Sequence, residues 1–566
     1  MEYELLLINI SRDLSGYSEA FRDSIGEYLI ASYLRQHDFK AYVFSGNISD
    51  CKKIVEKELG KGRTRVVGFY AAADNIRVVG HAVKWIKDNY PDCKTIIGGP
   101  QAIGLDYAFF EKTQNDFAII GEGEIPTLYL LSSLIDQTCE LANVPSLVMR
   151  DEKEKMLVVN SCEDAVITDL DSIGFPVMED SLVGNLRKGK VVGIITGRGC
   201  PFQCSFCYEG ANTKNVRLRS IENVMGEIDY IRENNHQLSY LEIYDDTFTF
   251  NGERVIKFCD EIKKRQIRWF CEGHITFVLK QKEIFKYMIE SGLTCIQFGI
   301  ESGSNDVLDA YNKHTNYDMI LEAIKECKEY GIHGITGNFI IGGAFETRET
   351  LEKSKELAKA LIKSAKGIIE LYAVYFAPYP NTKMVSNPGQ FNIEIHEDLK
   401  EINLNTMRSP VVNTAELTTN EIFDLKHEFD EFLKEEYQKA GDTPLKKDVL
   451  QSLFQDGKRI FINPTWEKIY LSKRHIVTFL EHLSDNEQNF NKTYYIVRSF
   501  EDIKLVGDIL VSEVGTFKGL EKDVLMYATG IYNALEMAEK FNVSIREIEE
   551  TYYHLNERCL VYMSEF

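Results

Sequence analysis

No stretch of this 566-residue chain is apolar for long enough to cross a bilayer, and its start, Met1-Glu2-Tyr3-Glu4, lacks the basic-then-apolar layout of a secretory signal. The expectation is a cytoplasmic protein with no membrane partner. Positive charge is also scarce, with 65 Lys and Arg against 87 Asp and Glu and a formal net charge of −22. A surface so short of cations is poorly suited to neutralising a phosphate backbone, which argues against a nucleic-acid partner. Twelve cysteines scattered over this length make no disulfide framework and fit a reducing compartment. With 44% hydrophobic and 27% charged residues, the chain has apolar material for several cores, and its length predicts several domains.

What is present is an α/β alternation in two phases. In residues 1–140, apolar runs at 3–9, 40–45, 65–70, 95–97 and 117–120 read as strands, and 24–36, 49–59, 75–89 and 125–137 as helices. Five βα steps predict a doubly wound parallel sheet, whose ligands bind at the carboxyl ends of strands. Two of those ends carry glycine loops, Ile97-Gly98-Gly99-Pro100 and Gly121-Glu122-Gly123-Glu124. Glycines there serve either a tight turn or the close approach of backbone to a large flat ligand. Residues 141–187 read as a linker containing a polar-turn hairpin, 144–150 with 155–160. From 188 to 385 the alternation resumes, with strands at 191–196, 240–244, 268–271, 295–300, 334–341 and 371–377. Six units predict a partial TIM-like (β/α)6 barrel with its chemistry at the carboxyl ends of the strands.

The first of those ends delivers Cys200-Pro201-Phe202-Gln203-Cys204-Ser205-Phe206-Cys207, a CxxxCxxC loop preceded by Gly197-Arg198-Gly199. Closed zinc sites and ordinary electron-transfer clusters use four protein ligands, whereas three thiolates leave one iron of a [4Fe-4S] cluster open to a small molecule. The alternative is a structural site completed from elsewhere, with Cys259, Cys271 and Cys295 available but forming no second close pair. The second strand ends in Tyr244-Asp245-Asp246-Thr247, where adjacent acids either accept from an ammonium group or cap the next helix. The fourth ends in Gly299-Ile300-Glu301-Ser302-Gly303, whose carboxylate can bridge ribose hydroxyls, and the fifth in Asn338 to Gly343.

CxxxCxxC with an aromatic before its last cysteine, at the mouth of a first barrel strand, resembles the signature of radical S-adenosylmethionine (radical SAM) enzymes. The resemblance implies that Cys200, Cys204 and Cys207 hold a [4Fe-4S] cluster and that SAM chelates the open iron. It further implies SAM contacts at Phe206, Asp245 or Asp246, Glu301, Ser302 and Gly342. A GGP loop followed by GEGE ahead of that motif resembles the cobalamin-binding domain of the cobalamin-dependent branch. Cobalamin contacts are then expected at Tyr70, Ala71, Asn75, Gly98, Gly99, Pro100, Gly121, Glu122, Gly123 and Glu124. The DxHxxG histidine of many cobalamin domains is missing, and His37 and His81 sit in other contexts, so cobalt is expected to bind without a protein imidazole, Tyr70 to Asn75 covering its lower face.

Residues 386–515 carry no catalytic motif and are expected to form a lid or scaffold. Residues 516–566 read as three helices and a strand, a winged-helix-like module closing a mostly helical C-terminal region. Ser544 and Glu547 form a capping box there, and Ile548, Tyr552 and Leu555 share one face. Its acid-rich third helix opposes phosphate contact, which favours a peptide-docking or packing role. The resemblance then implies a methyltransferase acting through a 5′-deoxyadenosyl radical and methylcobalamin on an unactivated carbon of a peptide or small natural-product precursor. A reductant such as flavodoxin or ferredoxin would feed the cluster. The alternatives are radical rearrangement, cyclisation or oxidation with cobalamin as electron carrier, and a non-catalytic cobalamin-binding sensor.

Overall fold

The computed structural model describes residues 4–10, 25–176, 191–396, 410–441, 493–496, 503–506, 509–512, 515–527, 529–557 and 561–564, less positions 47, 61, 63, 64, 73, 74, 164, 214, 237 and 239. It divides into two compact units. One comprises Met1–Ile320, Asn338–Ser354 and Ala373–Glu428, the other Leu321–Gly337, Lys355–Tyr372 and Phe429–Phe566. Among the described residues no helix is long and apolar enough to cross a membrane.

In the first unit, β1 (Leu5–Ile10), β2 (Ala41–Gly46), β3 (Val66–Tyr70), β4 (Lys94–Gly98) and β5 (Phe117–Ile119) form a parallel sheet in the order β2-β1-β3-β4-β5. The interior strand β1, Leu-Leu-Leu-Ile-Asn-Ile, is buried along almost its whole length because helices cover both faces of a parallel sheet. Those helices are α1 (Ile25–Gln36), α2 (Ile48–Leu59), α3 (Ile76–Asn89), α4 (Tyr107–Thr113) and α5 (Glu124–Leu131). Separate cores on the two faces contain Ile8, Val67 and Val83 on one side and Leu7, Leu34 and Leu130 on the other. The sequence pattern misses α4, a seven-residue helix too short to show periodicity. Its start is set by the Asp106 carboxylate, which accepts from the Phe109 N–H at 2.8 Å.

The hairpin expected in the linker forms, as β6 (Leu147–Asp151) and β7 (Met156–Val159), but it belongs to the first sheet. β6 pairs antiparallel with β5 and β7 with β6, so the layer runs to residue 159 and the open edge of β5 is covered. Residues 177–187 of the expected linker lie outside the described residues.

A second sheet follows. β8 (Val191–Ile194), β11 (Tyr240–Ile243), β12 (Arg268–Gly273) and β13 (Leu293–Glu301) are parallel neighbours in chain order, continued by β14 (Gly334–Ile341) and β15 (Ile369–Tyr375). The expected six-strand order is present. A two-stranded ribbon, β9 (Gly197–Arg198) with β10 (Arg217–Leu218), leaves the end of β8. Behind β12, Trp269, Phe258 and Phe248 pack edge to face with centroids 5.1–5.6 Å apart, each pair contributing about 1 kcal/mol beyond its burial. Cys259, Cys271 and Cys295 are buried in this wall as ordinary core residues.

In the second unit, helices Leu520–Tyr527, Ala534–Phe541 and Ile545–Glu557 enclose a core containing Phe517, Leu525, Met537, Ile548, Tyr552 and Leu555. The capping box is made: the Glu547 N–H donates to Ser544 Oγ at 3.2 Å, and the Ser544 N–H to Glu547 Oε2 at 2.8 Å. Where three helices and one strand are expected, Thr529–Asn533 forms a further strand. That strand and Val561–Ser564 flank Thr493–Ile496 in an antiparallel sheet, so the module begins upstream of residue 516. A strand whose partners are far away in sequence has no local signal to reveal it. Of the expected lid or scaffold, residues 397–409 and most of 442–515 lie outside the described residues.

Two predictions follow from the backbone of the first unit. Gly99 has φ +93° and a Cβ there would stand 2.6 Å from the Ala71 carbonyl oxygen, so Gly99→Ala is expected to destabilise the protein by about 1–3 kcal/mol in chemical denaturation. Glu346, buried beneath the turn at Gly342 and Gly343, is pushed up to about 7 by desolvation despite accepting from those backbone N–H groups. A carboxyl that holds its proton more tightly folded than unfolded contributes stability that is present at low pH and lost as pH rises from its ordinary 4.5 towards 7. Replacing it by glutamine should flatten the stability profile in that window, by at most about 3 kcal/mol.

Candidate active site

Thr196, just beyond β8, is fixed from two sides. Asp245, at the end of β11, accepts from the Thr196 N–H at 2.6 Å, the Thr196 hydroxyl at 2.5 Å and the Gly197 N–H at 3.0 Å. Arg254 donates to the Thr196 carbonyl at 3.0 Å and its hydroxyl at 3.2 Å. The chain leaving β8 is thereby aimed before the cysteines begin. The paired acids at the end of β11 divide into two roles, because Asp245 is fully occupied by these bonds while Asp246 opens on the cavity described below. Burial, reinforced by the like charges of Glu209, Glu272 and Asp245, pushes Asp246 up to about 8. A cationic ligand placed beside it would favour the carboxylate.

The cysteine loop is tied down along its length. The Ser205 N–H donates to the Tyr311 carbonyl at 2.9 Å, Asn312 donates to the Gln203 carbonyl at 2.9 Å, and the Met384 N–H to the Ser205 carbonyl at 3.1 Å. Phe206 meets the Tyr311 ring edge-on at 4.9 Å, and Phe202 stacks on His274 at 4.0 Å. Burial raises all three thiols, Cys200 to about 12 and Cys207 to about 11. Thiols so buried give up their protons on coordination, which makes metal loading a proton-releasing step. Among the described residues no group of His, Cys, Asp and Glu is drawn together around a single ion. Three thiols on one loop are a donor set that fits a [4Fe-4S] cluster, which Cys200, Cys204 and Cys207 would hold.

Glu301 closes β13 at φ +62°, a left-handed conformation that costs about 1 kcal/mol or more in a non-glycine residue. Its carboxylate is held by Lys313 Nζ at 2.8 Å and Asn338 Nδ2 at 2.8 Å. Ser302, Ser304 and Ser354 form a buried hydroxyl and backbone net below it, and Gly342 takes φ +83° where a Cβ would meet Ile422 at 2.8 Å. Glu301 is therefore a poised acid at the strand end, whereas Ser302 serves the turn and Gly342 the packing of the last segment. Lys313 and His274 carry no sequence signal, because each acquires its place only through a loop that folds back beside the cysteines. Desolvation, with Lys313 next in effect, holds His274 down at about 4, so its ring is neutral.

The glycine loops of the first sheet face the same region. A cavity of about 360 Å³ is walled by both layers: Gly26, Gly98 and Gly121 on one side, and Gly199, Tyr208 and Asp246 on the other. At Gly26, Gly98 and Gly121 a Cβ would meet nothing within 4 Å, so these glycines leave open floor. A floor without side chains fits a broad flat ligand such as a corrin. Gly99, by contrast, is required by its own turn. The Ala71 N–H donates to the Gly98 carbonyl at 2.8 Å, and Asn75 accepts from Ala72 at 2.8 Å and donates to the Tyr70 carbonyl at 3.2 Å. Tyr70 and Pro100 line the cavity, but Ala71 and Asn75 are buried supports. Among the described residues lining it there is no histidine; His37 bonds the Tyr33 carbonyl at 2.9 Å and His81 is exposed on α3.

Glu122 and Glu124 line this cavity and face arginines. Arg198 donates to Glu122 Oε2 at 2.9 Å and to Glu124 Oε1 at 2.5 Å, and Arg217 binds Glu122 with two bonds, one of them at 3.0 Å. In the sequence Arg198 stands beside the cysteine motif with no local signal of its role.

Comparison with known proteins agrees with this geometry. Residues 194–358 match the model of the Radical SAM superfamily. The chain is 29% identical to the uncharacterized methyltransferase PH0819 of Pyrococcus horikoshii over 63% of its length and 76% of that protein's. It is 28% identical to the anaerobic magnesium-protoporphyrin IX monomethyl ester cyclase of Cereibacter sphaeroides over 57% of its length, but spans only 54% of that protein. The structure of the cobalamin-dependent S-adenosylmethionine radical enzyme OxsB, with aqua-cobalamin and S-adenosylmethionine bound, superposes with a TM-score of 0.63 at 16% identity, covering 86% of this chain and 74% of that one. Residues 194–358 thus form a radical SAM domain, and the chain shares the fold of a cobalamin-dependent S-adenosylmethionine radical enzyme.

Proposed function

We propose that this chain is a cobalamin-dependent methyltransferase acting on an unactivated carbon of a peptide or small natural-product precursor. The observation that carries the reading is a single cavity with a glycine floor on the first sheet and, opposite, Gly199 and Tyr208, the immediate neighbours of Cys200 and Cys207. When bound, the cluster with SAM supplies a carbon radical and cobalamin a transferable methyl group. The chain's own work is to hold and orient. Cys200, Cys204 and Cys207 would ligate the cluster, Asp246 would accept from the SAM ammonium group, and Glu301 would receive its ribose hydroxyls. Gly98 and Gly121, with Tyr70 and Pro100, would let the corrin lie against the strand ends. Placing two reactive groups on opposite walls of one small cavity favours their encounter over side reactions. An external one-electron donor such as flavodoxin or ferredoxin belongs to this reading, as does a cytoplasmic setting. The three-helix module of residues 493–564 supports a peptide substrate.

A second reading is favoured by the likeness to the cyclase: radical cyclisation or oxidation without net methyl transfer. Product mass separates them. Anaerobic incubation of the reconstituted protein with reductant, trideuteromethyl SAM and candidate precursors should yield 5′-deoxyadenosine and a product carrying the labelled methyl group; a product lighter by hydrogen would favour the second reading. Cys200→Ala, Cys204→Ala and Cys207→Ala should each abolish 5′-deoxyadenosine formation and lower iron content while cobalamin remains bound. Gly98→Val should leave thermal stability nearly unchanged, since nothing surrounds that position, yet lose cobalamin from the absorbance spectrum of the purified protein.

A further inference from the structure

The ionic cluster beside the cavity joins the two layers that would hold the cofactors. Glu122 stands on the turn between β5 and α5, immediately after the open glycine Gly121, and Glu124 is the first residue of α5. Arg198 stands two residues before Cys200, on the ribbon β9 that pairs residue for residue with β10, so Arg198 and Arg217 lie directly opposite one another. Side by side, two guanidinium groups repel. Glu122 bridges them, Glu124 takes Arg198 with two bonds at 2.5 and 3.3 Å, and the cluster closes with two charges of each sign. Its side chains are only 3–18% exposed.

Buried ion pairs are poor sources of stability, because desolvation offsets most of the attraction, but they discriminate strongly between arrangements. Guanidinium and carboxylate groups paired in a planar fork fix both distance and angle, which an apolar contact does not. The apolar contact here, Ile25, Leu29 and Ile173 with Ile195, would tolerate sliding. The path from Gly121 through Glu122 and Arg198 to Cys200 is also a short link between the open floor of the cavity and the cluster loop.

We propose that Arg198, held by Glu122 and Glu124 and seconded by Arg217, is a positioning residue that sets the separation between the corrin seat and the cluster. This rests on the cofactor assignment made above. The test is pulsed EPR of protein loaded with cobalamin and cluster and poised so that cob(II)alamin and the reduced cluster are both paramagnetic. Wild type should give one narrow distance distribution. Arg198→Met and the pair Glu122→Gln with Glu124→Gln should retain iron and cobalamin but give a broadened or shifted distribution, and Arg198→Lys should recover part of the narrowing. Unchanged narrow distributions in variants that keep both cofactors would overturn the proposal. Should Arg198→Met fail to fold, Glu124→Gln alone, which keeps the shape and loses the charge, decides in the same way. Failure of wild type to retain both cofactors would refute the cofactor assignment itself, a different outcome from an unaltered distance.

Discussion

An eight-residue loop, Cys200 to Cys207, must be held open, rigid and at a fixed place, and the larger unit is arranged around that requirement. Loops with three unpaired thiols have little internal reason to keep one shape. Here the shape is imposed from outside, by Asp245 and Arg254 upstream, by backbone bonds from the segments around Tyr311 and Met384, and by Phe202 and Phe206 packed on His274 and Tyr311. The barrel strands supply those partners at their carboxyl ends, which is where parallel βα units expose side chains from many strands to one space.

The interior reached by those ends is acidic. Asp246, Glu209, Glu272 and Glu301 gather near the loop, and burial first, then repulsion from Glu209 and Glu272, pushes Asp246 up. Cationic groups placed among such acids would favour their carboxylate forms. Lys313 already performs that service for Glu301. A substrate-sized cation with an ammonium and a sulfonium centre is the chemistry that would do the same for the rest.

Much of this was legible from residue order. Apolar runs of four to eight residues alternating with amphipathic helices gave both sheets, and the capping box at Ser544 gave a helix start to the residue, because these signals are local. Glycine loops at strand ends pointed to the cavity. What the sequence could not say is which member of each motif serves the ligand and which serves the fold. Asp245 and Asp246 are indistinguishable as letters, yet one is consumed by Thr196 and Gly197 while the other faces the cavity. Gly98 and Gly99 differ in the same way, one open and one forced by φ and by the Ala71 carbonyl. Glu122 and Glu124 line the cavity, but their partners, Arg198 and Arg217, lie more than seventy residues away and leave no local trace in the sequence. The hairpin at 147–159 was visible as a hairpin, but its pairing to β5 was not, since edge pairing depends on strands brought together only in three dimensions.

The central claim is that the three loop thiols bind an iron cluster with one iron left open to SAM. EPR of the anaerobically reconstituted, reduced protein tests it most directly. The account predicts a reduced [4Fe-4S] signal whose g values and line shape change when SAM is added, and which is lost in the Cys204→Ala variant. A signal indifferent to SAM, or one that survives loss of a loop cysteine, would contradict it.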